Sequence, residues 1–256
     1  MFTKSEYTKI SNKRPWDITI VAWPKSGMTW LQNIVASIMY DAVGMNTPLS
    51  VVRELIQDVH EKTRYMRHSE RMFFKSHGLP RDIDTKYALY LVRDGRDALL
   101  SYYHYLNNTE QPHKWDELVS KYQHGDIWPG KWGDHVNSWR IYSAVGVRIH
   151  VAFLRYEDLL GDDAVDAIKQ ALFDLEFPSH SRFMSDSVID KALRVCSFEK
   201  MAEREKMSPA KNMKRGSFMR SGRSEQWRYE MPRIAVDLFN ATKEMSALKA
   251  FGYEKY

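Results

Sequence analysis

A strand-like run, Ile18-Thr19-Ile20-Val21-Ala22, passes directly into Trp23-Pro24-Lys25-Ser26-Gly27-Met28-Thr29-Trp30, after which Leu31, Ile34, Val35 and Ile38 fall on one face of a helix. A strand, a tight turn and a helix start in this order constrain the chain more than any other segment. The turn leaves the backbone N–H groups of Ser26, Gly27, Met28 and Thr29 without intrahelical partners, and the helix dipole adds partial positive charge there. Lys25 brings a full positive charge to the same place. The segment predicts an anion site beyond the carboxyl end of a buried strand.

The common nucleotide loop, Gly-x-x-x-x-Gly-Lys-Ser/Thr, places lysine after its last glycine and a hydroxyl beside it for magnesium. Here Lys25 precedes Gly27. Another stretch, Gly125-Asp126-Ile127-Trp128-Pro129-Gly130-Lys131-Trp132, imitates the spacing literally. Trp132 replaces the hydroxyl, and residues 115–123 before it have helical rather than strand character, so it is read as an ordinary loop.

Two further runs, Tyr87–Val92 and residues 147–153, are rich in β-branched and aromatic residues and read as buried parallel strands. Ala98, Leu99, Tyr102 and Tyr103 give a helical stripe after the second. Later helices are expected at 165–175 and 188–196, with a last one from Pro232 at its first position to about Lys249. Alternating strands and helices imply an α/β fold with a parallel sheet covered on both faces. No Pro/Gly/Ser-rich linker, repeat or low-complexity run divides the 256 residues, so residues 1–256 are expected to form one domain. Ligands of such sheets bind beyond the carboxyl ends of strands, where three charged segments lie: Pro24 to Thr29, Arg93 to Ser101, and Arg155 to Asp158. Residues 207–226, with Lys211, Lys214, Arg215, Arg220, Arg223, Gly216 and Gly222, lack periodicity and read as a basic loop.

The net charge of +5, from 38 Lys plus Arg against 33 Asp plus Glu, suits an anionic ligand. Nucleic acid is not expected, since no helix-turn-helix, zinc-finger or RNA-recognition pattern accompanies it. Mean hydropathy is −0.54 and apolar runs are strand-sized, so no membrane partner is expected. The polar first fourteen residues and the single cysteine, Cys196, suggest a cytoplasmic protein without disulfides. No metal is expected either: there is no His-Glu-x-x-His, and His124, Asp126, Asp134 and His135 lack a ligand spacing.

Val92-Arg93-Asp94-Gly95-Arg96-Asp97 followed by Ser101-Tyr102-Tyr103-His104-Tyr105 is the second distinctive segment. Arg93 at a strand end and Ser101 about two turns into the next helix can clamp one phosphate through guanidinium and hydroxyl bonds. Together with the Lys25 loop, this segment resembles the cytosolic sulfotransferase family. The resemblance continues in order through Lys75-Ser76-His77 and Pro80, Trp115-Asp116, the Trp132 to Trp139 stretch with His135, Arg155-Tyr156-Glu157-Asp158, Ser197-Phe198, and Phe218-Met219-Arg220-Ser221-Gly222 with Trp227.

The resemblance implies a three-layer α/β/α fold like that of P-loop NTPases. It also implies a transferase that moves a sulfuryl group from 3′-phosphoadenosine 5′-phosphosulfate (PAPS) to a small-molecule hydroxyl or amine, leaving 3′-phosphoadenosine 5′-phosphate (PAP). Such a donor needs two anion cradles with an aromatic platform between them. By the match, Lys25, Ser26, Gly27, Met28 and Thr29 hold the 5′ end; Arg93, Ser101 and the Arg220-Ser221-Gly222 loop hold the 3′ phosphate; Trp30, Tyr156 and Phe198 enclose adenine. Ser197, Phe218 and Met219 complete the donor site. His77 is the implied general base, Lys25 the group that steadies the leaving oxygen, and Lys75 an added positive charge.

The chain departs from the family pattern at several points. Met28 stands where a second threonine is frequent, Ser221 where a lysine follows arginine, and Glu225 where a second glycine is usual, leaving Arg223 or Lys214 as substitutes. Arg228-Tyr229-Glu230-Met231-Pro232 lacks the dimerisation pattern of many animal members, so the oligomeric state stays open. Acceptor contacts are expected from residues 48–72, 78–84 and 106–114, with His135 and residues 207–219 as walls. Glu54, Asp58, Glu61 and Glu70 suggest a polar or cationic acceptor. The alternatives are a P-loop nucleotide kinase, which would need Gly-Lys-Ser/Thr and a magnesium carboxylate, and a catalytically silent nucleotide-binding protein.

Overall fold

In the computed structural model, residues 11–44, 47–109, 112–144, 149–207 and 213–254 are described. Five strands, β1 (Ile18–Ala22), β2 (Gln57–Asp58), β3 (Phe73–Ser76), β4 (Tyr87–Val92) and β5 (His150–Arg155), form one sheet in the order β2-β3-β1-β4-β5. Every pairing is parallel, with Ile20 opposite both Lys75 and Leu89, and Leu89 opposite Ala152. The carboxyl ends of β1, β3, β4 and β5 therefore meet along one edge of the sheet.

Strand alternation makes the layers. Ile18, Ile20 and Ala22, with Leu89, Leu91, Ala152 and Leu154, pack against apolar residues of α1 (Met28–Tyr40), α6 (Ala164–Asp174) and α7 (Asp186–Val195). Val21, Ala88, Tyr90 and Val92 face the other way, onto α3 (Gly95–Thr109), α4 (Trp115–His124), α5 (Trp132–Ala144) and α11 (Thr242–Ala250). Each large aliphatic side chain moved from water into these layers contributes about 1.5–3 kcal/mol. The other α-helices among the described residues are α2 (Leu49–Leu55), α8 (Phe198–Met207), α9 (Trp227–Glu230) and α10 (Arg233–Val236). Among the described residues no helix is long and apolar enough to cross a membrane.

Three expectations need correction. The third expected strand lies later, at His150–Arg155, and residues 147–148 fall outside the described residues. Four-residue β3 and two-residue β2 were absent from the expectation, because runs of four and two residues are too short to show an alternating pattern. The last helix is broken: after α10 a 3-10 turn at Asp237–Asn240 and extended Ala241 precede α11. The break turns Leu238 and Phe239 inward, where Phe239 packs on Tyr122 and Trp132. Residues 213–226 are irregular apart from turns, as expected of the basic loop; Lys211 lies outside the described residues.

Candidate active site

The expected anion cradle follows β1. Lys25 adopts φ 67° and Gly27 φ 101°, so two left-handed residues fold the chain sharply before α1 starts at Met28. The Ser26 N–H bonds to the Trp23 carbonyl at 3.2 Å, so the donors offered at the helix start begin at Gly27 rather than Ser26. A Cβ at Gly27 would lie 2.7 Å from Tyr156 Cδ2, which leaves glycine as the residue that fits. The Ser26 hydroxyl is buried with no hydrogen-bond partner among the described residues. Met28 packs into the core, so the side chain that departs from the family pattern serves the fold. Thr29 gives its carbonyl to Asn33 at 2.7 Å.

Arg93 sits one residue beyond β4, its guanidinium 4.4 Å from the Tyr156 ring centre and bonded to the Arg223 carbonyl at 2.8 Å. Its Nε is buried and has no partner among the described residues. Ser101 lies on α3 and faces the same cavity. Arg220 is drawn to Glu230 at 2.9 Å, and the Ser221 hydroxyl accepts from Gln226 Nε2 at 2.6 Å. Gly222 has φ 68°, and a Cβ there would lie 2.3 Å from the Phe198 ring. Glu225 takes φ 60° in place of glycine, held because Asp97 accepts its N–H at 2.6 Å and that of Trp227 at 3.0 Å. Trp30 donates from Nε1 to the Cys196 carbonyl at 2.7 Å and meets Tyr156 edge-on at 5.3 Å. Burial pushes the Cys196 thiol up to about 12, so it is not a nucleophile.

His77 follows β3. Its Nδ1 donates to the Ala22 carbonyl at 2.7 Å, which leaves Nε2 as the acceptor nitrogen of the neutral ring. Loss of hydration, then the charge of Lys75, lowers its pKa to about 4. Lys75 pairs with Asp58 at 3.3 Å, so its charge is partly compensated. The Trp128 ring meets His77 edge-on at 5.6 Å. Trp128 was missed, since it lies in the stretch read as an ordinary loop; that loop is tied back by Trp23 Nε1 donating to the Gly130 carbonyl at 2.9 Å.

Lys25 points its ammonium at the rings of Phe218 and Tyr105, 3.7 and 4.6 Å from their centres. Burial first, then the neighbouring Arg93, lowers its pKa to about 7; Glu205 opposes the shift. Buried Glu205, on α8, accepts from Ser217 Oγ at 2.6 Å, Phe218 N at 2.6 Å and Met219 N at 2.8 Å, fixing the loop that lies over Lys25. Tyr105 and Glu205 were also missed, the latter because α8 was not expected.

A cavity of about 1020 Å³ joins these groups, and every expected site residue borders it except Ser26, which is buried beneath. Of the expected acceptor stretches, residues 48–72 contribute Arg53, Asp58 and Glu61, and residues 213–219 contribute Phe218 and Met219. Residues 78–84, and the described part of 106–114, do not border it. His135 is not a wall but wholly buried, its ring taken up by Tyr90 and the His77 backbone. Arg223 borders the cavity, whereas Lys214 does not. Among the described residues no three His, Cys, Asp or Glu side chains are grouped to hold a metal ion.

A family model described as Sulfotransferase domain matches residues 15–251. Mus musculus Sulfotransferase 1E1 is 27% identical over 252 residues, covering 89% of this chain and 82% of the relative. Homo sapiens Sulfotransferase 1C2 is 27% identical over 243 residues, covering 84% and 77%. Among solved structures, mouse sulfotransferase SULT7A1 complexed with PAP superposes with TM-score 0.66 at 21% identity, over 95% of this chain and 90% of that one. Retinol dehydratase in a complex with retinol and PAP gives TM-score 0.69 at 18% identity, over 94% and 84%.

Proposed function

The chain belongs to the sulfotransferase domain family, and on that premise we propose that it moves the sulfuryl group of PAPS to a hydroxyl or amine of a small molecule, with His77 as base and PAP as product. The observation that carries this reading is the His77 Nδ1–Ala22 bond at 2.7 Å, which leaves Nε2 as the lone-pair nitrogen of a ring that borders the cavity shared with Lys25 and Arg93. The donor-side residues fit a bisphosphorylated adenosine. The buried, unpartnered Ser26 hydroxyl and Arg93 Nε ask for an acceptor, and Gly27 and Gly222 let backbone come close where a side chain would collide. When bound, PAPS supplies the activated sulfuryl group and a phosphate leaving group.

The residues then divide the tasks. The first turn of α1 with Lys25, Ser26, Gly27, Met28 and Thr29 binds the 5′ end; Arg93, Ser101, Arg220, Ser221 and Gly222 bind the 3′ phosphate. Trp30, Tyr156 and Phe198 flank adenine, with Ser197, Phe218 and Met219 beside them. His77 Nε2 takes the acceptor proton; a base with pKa about 4 does so as the new O–S or N–S bond forms rather than beforehand. Lys25 offsets charge on the departing oxygen from a partly dry site, as preorganised cations do. Lys75 adds a charge tempered by Asp58. Both signs of charge at Arg53, Asp58 and Glu61 support a polar acceptor over a sterol.

The test supplies the protein with sulfur-labelled PAPS and, in parallel, γ-labelled ATP, against a panel of phenols, sterols and polar amines. Label from PAPS should appear in an acceptor. Transfer of ATP phosphate without transfer of sulfate contradicts the assignment.

A further inference from the structure

His135 sits on α5, 0% exposed, with both ring nitrogens engaged: Nε2 with the His77 carbonyl at 3.1 Å and Nδ1 with the Tyr90 hydroxyl at 2.7 Å. A carbonyl only accepts, so Nε2 must carry the hydrogen. Burial lowers the pKa of His135 to about 3, and a neutral ring has one N–H, so Nδ1 accepts from Tyr90. Tyr90 is also wholly buried, and burial raises its pKa well above 10.0, which keeps its hydroxyl a donor. Tyr90 thereby selects the His135 tautomer. One turn further along α5, Trp139 Nε1 donates to the Gly78 carbonyl at 3.2 Å, so the same helix holds two successive peptides of the His77 loop.

Resting on the assignment of His77 as base, we propose that His135, oriented by Tyr90, is a positioning residue for sulfuryl transfer. By clamping the His77 peptide it keeps Nδ1 of that ring on Ala22 and Nε2 toward the acceptor. Four elements act in series: Tyr90 on β4, His135 on α5, His77 after β3 and Ala22 at the end of β1. An apolar ring would fill the seat of His135 without the cost of burying two polar nitrogens. What the imidazole adds is a directed bond to the peptide of the base. A misplacement of about 1 Å at a reacting group costs up to about 10²-fold in rate.

Three substitutions test the clamp. His135→Leu keeps bulk without a donor; Tyr90→Phe keeps the ring and removes the hydroxyl; His135→Gln keeps an N–H near the position of Nε2. With His135→Leu, kcat should fall about tenfold or more, and with Tyr90→Phe by a smaller factor, while PAP affinity stays within about twofold. His135→Gln should recover most of the loss. The acid limb of the pH profile should rise toward 6.5 in His135→Leu, as His77 leaves its buried seat among Lys75, Asp58, Lys25 and Trp128 and regains hydration. Nitrogen NMR should find His77 protonated at Nδ1 alone in the parent protein and as mixed tautomers in His135→Leu. Parent-like kcat and acid limb in both His135→Leu and Tyr90→Phe overturn the proposal, as does His135→Gln being as impaired as His135→Leu. If His135→Leu does not fold, Tyr90→Phe and His135→Gln decide. Inactive His77→Ala beside unaffected His135 and Tyr90 variants sinks the clamp alone; fully active His77→Ala sinks the assignment of the base as well.

Discussion

The Lys25 ammonium stands 3.7 Å from the centre of the Phe218 ring, so the cation proposed to steady the leaving oxygen rests on an aromatic face rather than in a carboxylate pair. That contact tolerates a partly desolvated charge without neutralising it, in keeping with a pKa lowered to about 7. Phe218→Leu opens the seat to water and removes the ring. The Lys25 pKa should rise, and the alkaline limb of kcat/KM should move up with it; an unchanged limb contradicts this role for Phe218.

The same shift sets the pH dependence. The pH profile of kcat/KM reports the free enzyme, so it should be bell-shaped, rising as His77 deprotonates near 4 and falling as Lys25 loses its proton near 7. PAP brings negative charge to Lys25, so binding above pH 7 should take up protons, visible as buffer-dependent calorimetric heats. For stability the sign is fixed by the depressed folded value. Between about 7 and 10.5 the unfolded chain holds a proton that the fold sheds, so the destabilising effect of Lys25 is full below 7 and fades toward 10.5. Lys25→Met should therefore raise Tm more at about pH 6 than at about pH 10, while abolishing turnover.

Gly27→Ala places a methyl 2.7 Å from Tyr156 and holds alanine at φ 101°. The fold should lose about 1–3 kcal/mol by denaturant titration, and PAP binding should be largely lost. Unchanged PAP affinity would mean that the turn is not the 5′ cradle.

Glu205→Gln turns one acceptor oxygen into a donor, which must face the N–H of either Phe218 or Met219. The loop carrying Arg220, Ser221 and Gly222 loosens, and PAP affinity should fall about tenfold, or about 1.4 kcal/mol. Parent-like affinity in a calorimetric titration would mean that Glu205 serves only the packing of α8.

What the sequence made legible followed local rules. The bounds of β1 and β4 were read correctly because each is an unbroken run of β-branched, aliphatic and aromatic residues without a charge, and Lys25, Arg93 and Tyr156 could be placed because each follows a strand end. β3 was invisible: Phe73–Ser76 has two apolar residues before Lys75, and it is a strand because β1 and β2 flank it. Trp128 lies 51 residues after His77 and meets it only once α4 and α5 are packed, so no spacing announced the pair. His135 was noticed but given the wrong face, since a helix stripe does not say whether a polar residue looks into a cavity or onto a neighbouring peptide.

The most direct measurement is single-turnover transfer from labelled PAPS by the parent protein and His77→Ala at one pH, with PAP affinity measured on both. Loss of His77 should slow transfer about 10²- to 10⁴-fold while PAP affinity stays nearly constant. Transfer at the parent rate by His77→Ala contradicts the account, because the imidazole fixed on Ala22 would then not be the group that takes the acceptor proton.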